Sequence, residues 1–179
     1  MSKSTWVLDP SHSEIGFKIG HLLFATVSGT FTTVAAKIED EDDIFETASI
    51  QFTGEANSIN TQNEERDNHL KEAVFFDVVE YPIVSFVSTK VTKNAAGDYA
   101  ITGDLTLKGH TQSIQLDAAY SVPTLDAWMQ HKIGLTIQGK IKLKDFGLVW
   151  NTSQETGGML VGSQVTIIGE MEFIKEMSR

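Results

Sequence analysis

Three groups of side chains in this chain have types and spacing that could do chemistry. Asp9, His12 and Ser13 carry the functional groups of a hydrolytic relay. They sit too close in sequence to adopt triad geometry, and no nucleophile elbow accompanies them. Asp9-Pro10-Ser11 predicts instead a turn in which the Asp9 carboxylate accepts from backbone amides. The second group is Arg66, Asp67 and His69. Either Arg66 and Asp67 pin their segment to the body by ion pairs and backbone bonds, or Arg66 or His69 meets the polar end of a ligand. Both roles demand a partner, because a buried unpaired charge is costly. The third is a run of acids from Glu39 to Glu46. It lacks the ordered spacing and the glycine of a calcium loop and reads as a solvated loop. The other histidines, His21, His110 and His131, show no paired spacing and no HExxH, so no metal site is predicted. Absence of cysteine removes thiolate and disulfide chemistry. No glycine-rich phosphate cradle joins a strand to a helix. A small hydrolase or isomerase using His12 or His69 is the catalytic alternative that this inventory leaves.

The second group lies on the chain's one helix pattern, between Ser58 and Pro82. Thr61 and Glu64 fit a capping box. Glu64, Glu65 and Asp67 fall in the first turn, where the helix dipole favours negative charge, and Asp67 with Lys71 makes an i,i+4 pair. Leu70, Ala73 and Val74 form a short apolar stripe that runs into Phe75 and Phe76. Two turns would not persist alone in water, so the stripe must close onto something.

That something is β-structure. Ile15, Phe17 and Ile19 alternate with polar residues, as do Tyr99 to Leu107, Ile114 to Val122, Ile133 to Leu143 and Val165 to Phe173. The phase changes between Phe31 and Val34 and again between Phe86 and Val91 predict bulges near Thr32-Thr33 and Ser88-Thr89. His21 to Ala25 is a short apolar link, while Asn94 to Gly97, Lys108 to Thr111 and Thr156 to Gly158 are loops. About eight alternating strands in hairpin order, with no βαβ rhythm, argue an antiparallel sheet with one buried face. Such a sheet closes to remove its edges. The expected fold is all-β: a single domain over residues 1–179, an up-and-down barrel with one short helix near a mouth. Gly103, Gly139 and Gly169 fall on the apolar face in mid-strand, where they either bend the strands or leave room in the lumen. Any cavity inside would be apolar and elongated; a barrel filled by side chains would instead be a dimeric scaffold.

Composition narrows the partners. The chain of 179 residues is 41% hydrophobic with a net charge of −10. That balance disfavours nucleic acid and anionic membrane surfaces, since phosphate binding needs clustered Lys and Arg. No apolar run approaches a membrane span. MSKSTWVLD shows no apolar signal core, so a cytoplasmic location is the expectation. Trp6, Trp128 and Trp150 read as packing or interface residues, with Trp128 and Met129 in a loop at a rim or a dimer contact.

Several segments carry a family likeness. Trp6 to Ser13, Ile15, Phe17, His21-Leu22 and Val27 to Phe31 open it. Ser58 to Thr61, Glu65 to Leu70, Phe75-Phe76-Asp77 and Tyr81-Pro82 are its most specific part. Gly103 to Gly109, Lys144 to Leu148 and Glu155 to Gly158 complete it, in order and over nearly the whole chain. On these residues the chain resembles YceI-like proteins. It departs from their pattern at Lys142-Leu143, where an Asn-Arg pair is frequent, and at Ser163-Gln164, where an acidic pair is. The resemblance implies a lipocalin-like barrel that binds a long apolar amphiphile, such as an isoprenoid, isoprenoid quinone or fatty-acid-like lipid, and it implies a homodimer. It implies neither catalysis nor a cofactor. The expected lining is Phe17, Ile19, Phe31, Phe52 and Phe86, with Leu105, Ile137, Phe146 and Ile167, while Arg66 and His69 stand at the mouth.

Overall fold

A computed structural model describes residues 2–21, 25–149 and 161–177. The link at Leu22 to Phe24, Trp150 and the Thr156 to Gly158 loop lie outside the described residues. The strands are β1 (Lys3–Leu8), β2 (Glu14–His21), β3 (Ala25–Phe31), β4 (Val34–Glu41), β5 (Ile44–Glu55) and β6 (Ile59–Asn60). After the helix α1 (Glu64–Lys71) come β7 (Ile83–Lys93), β8 (Tyr99–Leu107), β9 (His110–Tyr120), β10 (Thr124–Leu125), β11 (His131–Lys142) and β12 (Val161–Lys175).

All pairings are antiparallel and most join neighbours in sequence. Three staves of the barrel are broken in two. β1 and β2 form one, interrupted by a 3₁₀ turn at Pro10–His12, and both halves pair with β12. β3 and β4 form the next, broken at Thr32-Thr33 where the bulge was expected. β5 and β6 form the third. With β7, β8, β9, β11 and β12 they make an eight-stave ring, which β12 closes against the first stave. The second bulge also falls where the phase change puts it, between Ser88 and Lys90. Closure gives every stave a paired neighbour on each side.

Strand parity builds the interior. Tyr99, Ile101, Leu105 and Leu107 of β8 are buried, as are Ile133, Leu135 and Ile141 of β11. Trp6, Ile38 and Phe173 are completely enclosed. The inward run on β9 stops at Tyr120, and Val122 lies beyond the strand and is exposed, against expectation.

The inward glycines are seats rather than gaps. A Cβ at Gly103 would lie 2.4 Å from Phe86 Cζ and 2.5 Å from the Val87 carbonyl oxygen. At Gly139 it would lie 2.5 Å from Leu116 Cδ2, and at Gly169 2.9 Å from Ile137 Cγ1. Each glycine therefore lets a neighbouring strand's side chain lie flat on the wall. Gly103→Val is expected to lower stability by about 1–3 kcal/mol, the usual cost of overpacking, because the carbonyl cannot retreat as a side chain could. Thermal denaturation would check it; an unchanged midpoint would mean that the Phe86 ring and its strand move freely.

Candidate functional site

The staves enclose a cavity of about 500 Å³. Its wall is almost wholly apolar, from Met171 and Phe173 deep inside to Ile19, Val27 and Leu148 towards the mouth. Among the described residues, the polar side chains on the wall, Thr61, Asn63, Glu65, Arg66 and His69, all come from one segment, α1 and the residues just before it. Glu65 and His69 are exposed, so the cavity reaches the surface beside α1.

Of the residues expected to line a lumen, Phe17, Ile19, Phe31, Phe52, Phe86, Leu105, Ile137 and Ile167 border this cavity, and Arg66 and His69 stand at its rim. Phe146 does not. It is 1% exposed and packs within the 3₁₀ turn Leu143–Phe146, where helical geometry overrides strand parity. Leu143 and Leu148, on either side of it, border the cavity instead.

The rim is organised differently from the capping box that the sequence suggests. The cap is Asn63, whose side-chain oxygen accepts from the Arg66 amide at 2.9 Å. Thr61, 4% exposed, is the point to which the helix is tied. Its amide donates to Asp67 Oδ1 at 2.9 Å, and its hydroxyl donates to the same oxygen. Arg66 Nε donates to Thr61 Oγ1 at 2.7 Å, and Arg66 Nη2 to the Thr61 carbonyl at 2.8 Å. Asp67 therefore turns to Thr61 rather than to Lys71. The predicted stripe is also shorter: Leu70 is buried, but Ala73 and Val74 face solvent, and Phe75 and Phe76 pack inward beyond the helix. Phe76 meets Phe31 edge-on with ring centroids 6.2 Å apart.

The opposite end is a closed floor. Phe45 stacks on Tyr120 at 4.2 Å and meets Tyr99 edge-on at 4.9 Å. Beside them Trp6 Nε1 donates to Asp40 Oδ2 at 2.9 Å. Asp40 belongs to the acidic run expected to be a solvated loop, yet it is 1% exposed. The run is a hairpin: β4 continues to Glu41, Asp42 and Asp43 make the turn with φ of 55° and 56°, and β5 begins at Ile44. Asp43 is bound by Lys175 Nζ at 2.8 Å and by the Ser4 hydroxyl at 2.7 Å, and these hold its carboxyl below the usual range.

The Asp9 group lies on the outer wall against β12. Asp9 Oδ1 accepts from the Ser11 amide and hydroxyl, as the predicted turn requires, while His12 Nδ1 is 2.8 Å from Asp9 Oδ2. The Ser13 hydroxyl bonds the Glu172 backbone. Ser11 Oγ approaches the same His12 nitrogen at 3.1 Å. A hydrolytic relay needs the two ring nitrogens to serve different partners. The nearby Glu172 carboxylate is already paired with Lys132 Nζ at 2.7 Å. The group therefore acts as a brace joining the 3₁₀ turn to β12. Bonds from Ser11 and then His12 lower the Asp9 pKa to about 2. A depressed carboxylate stabilises the fold above its unfolded pKa and loses that contribution as pH falls through the folded one. Asp9→Asn is thus expected to flatten the loss of stability between about pH 4 and pH 2. Chemical denaturation along that pH series would check it, and an acid limb as steep as the parent's would refute it.

A closed antiparallel barrel with an internal apolar cavity and a polar rim places the protein among cavity-bearing β-barrels. The YceI-like domain matches residues 6–173, and the chain belongs to that family. A UPF0312 protein of Staphylococcus aureus (strain N315) is 32% identical over 171 residues, covering 95% of this chain and 97% of its own. Among solved structures, BcnA of Burkholderia cenocepacia superposes with a TM-score of 0.80 at 18% identity, over 92% of this chain and 98% of that one. A polyisoprenoid binding domain from Saccharophagus degradans, implicated in plant cell wall breakdown, gives 0.65 at 15% identity, over 96% and 98%. At those identities the two structures attest the fold.

Proposed function

We propose that this protein is a non-catalytic carrier which holds a long-chain amphiphile, an isoprenoid or a lipid of similar shape, with its tail in the barrel and its polar end at Arg66 and His69. The observation that carries this reading is the segregation of the wall. Among the described residues, polar side chains on the wall are confined to residues 61–69, at one end of an otherwise apolar cavity of about 500 Å³. Such a wall offers a flexible hydrocarbon ~0.8 kcal/mol for each buried CH₂, offset by the cost of ordering the chain. The description of the Saccharophagus degradans domain as polyisoprenoid binding supports the isoprenoid class. In this reading Phe17, Ile19, Phe31, Phe52, Phe86, Leu105, Ile137 and Ile167 contact the tail, whereas Phe146 supports the wall. The proposal includes a cytoplasmic homodimer, which cell fractionation and light scattering would check.

Organic extraction of the purified protein followed by mass spectrometry tests the carrier reading. A stoichiometric lipid with an apolar tail is expected. A lipid-free preparation that also ignores added polyprenol would overturn it.

A further inference from the structure

The segment that carries the polar wall is only lightly embedded in the barrel. Within α1 only Leu70 is buried, and the helix meets the strands mainly at the two-residue β6. A chain with so few buried apolar contacts opens at lower free energy than the staves around it. Its flanks are anchored. Thr61 is buried with its methyl against Gly29, and a Cβ added there would lie 2.9 Å from Thr61 Cγ2. Phe75 and Phe76 are buried on the other side. Between these anchors, every residue from Gln62 to Val74 except Leu70 is exposed or half-buried.

Two backbone positions bracket the segment. Gln62, immediately after the first anchor, has φ of 61°, and Asp77, immediately after the second, has φ of 49°. These are left-handed conformations that non-glycine residues adopt sparingly, and such residues at the ends of an element are places where a chain can absorb a change of direction. The end of the segment is tied to its second anchor by the Phe76, Val78 and Asp77 amides, which donate to the Leu70, Lys71 and Glu72 carbonyls, and its beginning is held by polar, local bonds. Arg66 and Asp67 both grip Thr61, and Lys108 Nζ donates to the Ala73 carbonyl at 3.0 Å.

We propose that Asn63–Val74 is a lid over the barrel mouth, turning at Gln62 and latched to Thr61 by Arg66 and Asp67, whose opening admits and releases the ligand. The role of the lid in ligand passage rests on the carrier reading, but its opening is a property of the free protein and can be measured without a ligand. The latch is hydrophilic and lies at the edge of the cavity, so releasing it exposes little apolar surface beyond Leu70. Closing it brings Asn63, Glu65, Arg66 and His69 back to the wall.

Hydrogen exchange on the ligand-free protein tests the lid directly. Amides of α1 are expected to exchange at least roughly tenfold faster than those of β7 and β8, as a locally opening unit does. Asp67→Asn, which weakens a charge-assisted bond, should speed exchange in α1 by about a further tenfold and leave the strands unchanged. Thr61→Val keeps the methyl on Gly29 and removes the shared hydroxyl; because Thr61 borders the cavity, it gives a second reading of exchange alone should the first variant fold poorly. Stopped-flow binding of 1-anilinonaphthalene-8-sulfonate to Asp67→Asn, whose side chain does not border the cavity, should then show association and release both about tenfold faster, with the dissociation constant within roughly twofold of the parent's, because a gate changes rates and not the closed site. Exchange in α1 as slow as in the strands, or a changed affinity at unchanged rates, would overturn the lid. Failure of the parent to take up the dye or any polyprenol would overturn the carrier reading alone, since exchange in α1 still reports the opening.

Discussion

Gly139→Leu is expected to empty the barrel and loosen it at the same time. The new side chain would start 2.5 Å from Leu116 Cδ2 and 3.0 Å from the Gln115 carbonyl oxygen. Leu116 borders the cavity, so the direction in which it can yield is into the lumen. Overpacking of this kind costs about 1–3 kcal/mol. Displacing even two methylenes of a bound tail, at ~0.8 kcal/mol each, weakens loading by more than roughly tenfold. From the sequence alone, Gly139 could have stood beside vacant space, and leucine there would then have blocked loading with little effect on the fold. The packing of Leu116 over the glycine couples the two effects. Mass spectrometry of co-purifying lipid and a thermal melt read them separately. A variant that melts like the parent and still carries lipid would show that Leu116 rotates into space elsewhere and that Gly139 does not shape the lumen.

Strand parity explains how much of this could be read in advance. Alternation over Tyr99 to Leu107 and Ile133 to Leu143 specifies the buried face, because a one-residue slip would expose the whole set. The phase breaks at Thr32-Thr33 and Ser88-Thr89 gave the bulges for the same reason. Phe146 was misplaced because parity ends where the chain tightens into a 3₁₀ turn. The helix cap was misplaced because Thr61 and Asn63 are both competent caps, and only the fold shows that Thr61 is buried over Gly29 and engaged by two helix residues. Most instructive is Asp40. A run of acids reads as solvated loop by composition, yet Ala36, Ile38 and Asp40 share one parity and all three are buried. The signal was present in the spacing and was outweighed by charge.

Asp40 gives the other large expected effect, because the floor holds a carboxyl where little solvent reaches. Burial pushes its pKa up against the opposing pull of the Trp6 N–H and of Lys175, and Asp43 adds to the rise. Oδ1 has no hydrogen-bond partner among the described residues, and the same is true of the buried Tyr120 hydroxyl, whose pKa burial also raises. For a raised carboxyl the sign is the reverse of that at Asp9. The contribution to stability is fully present below the unfolded pKa and is lost as pH rises through the folded one, where the buried charge must form. Asp40→Asn keeps an acceptor for Trp6 Nε1 and cannot ionise. It is therefore expected to be more stable than the parent at neutral pH, with the advantage vanishing in acid. Trp6→Phe should do the opposite. It keeps an aromatic ring but removes the N–H that supports Asp40 Oδ2, at a cost of about 1–3 kcal/mol for an orphaned buried acceptor, to which the void left by the smaller ring adds. Combining the two substitutions should cost less than Trp6→Phe alone, because residue 40 then carries no charge to strand. Thermal melts of the single and double variants between pH 4 and 8 decide the matter. If Asp40→Asn destabilises at every pH, the ionised carboxylate is a net support of the floor, and its pairing rather than its burial governs the closed end of the barrel.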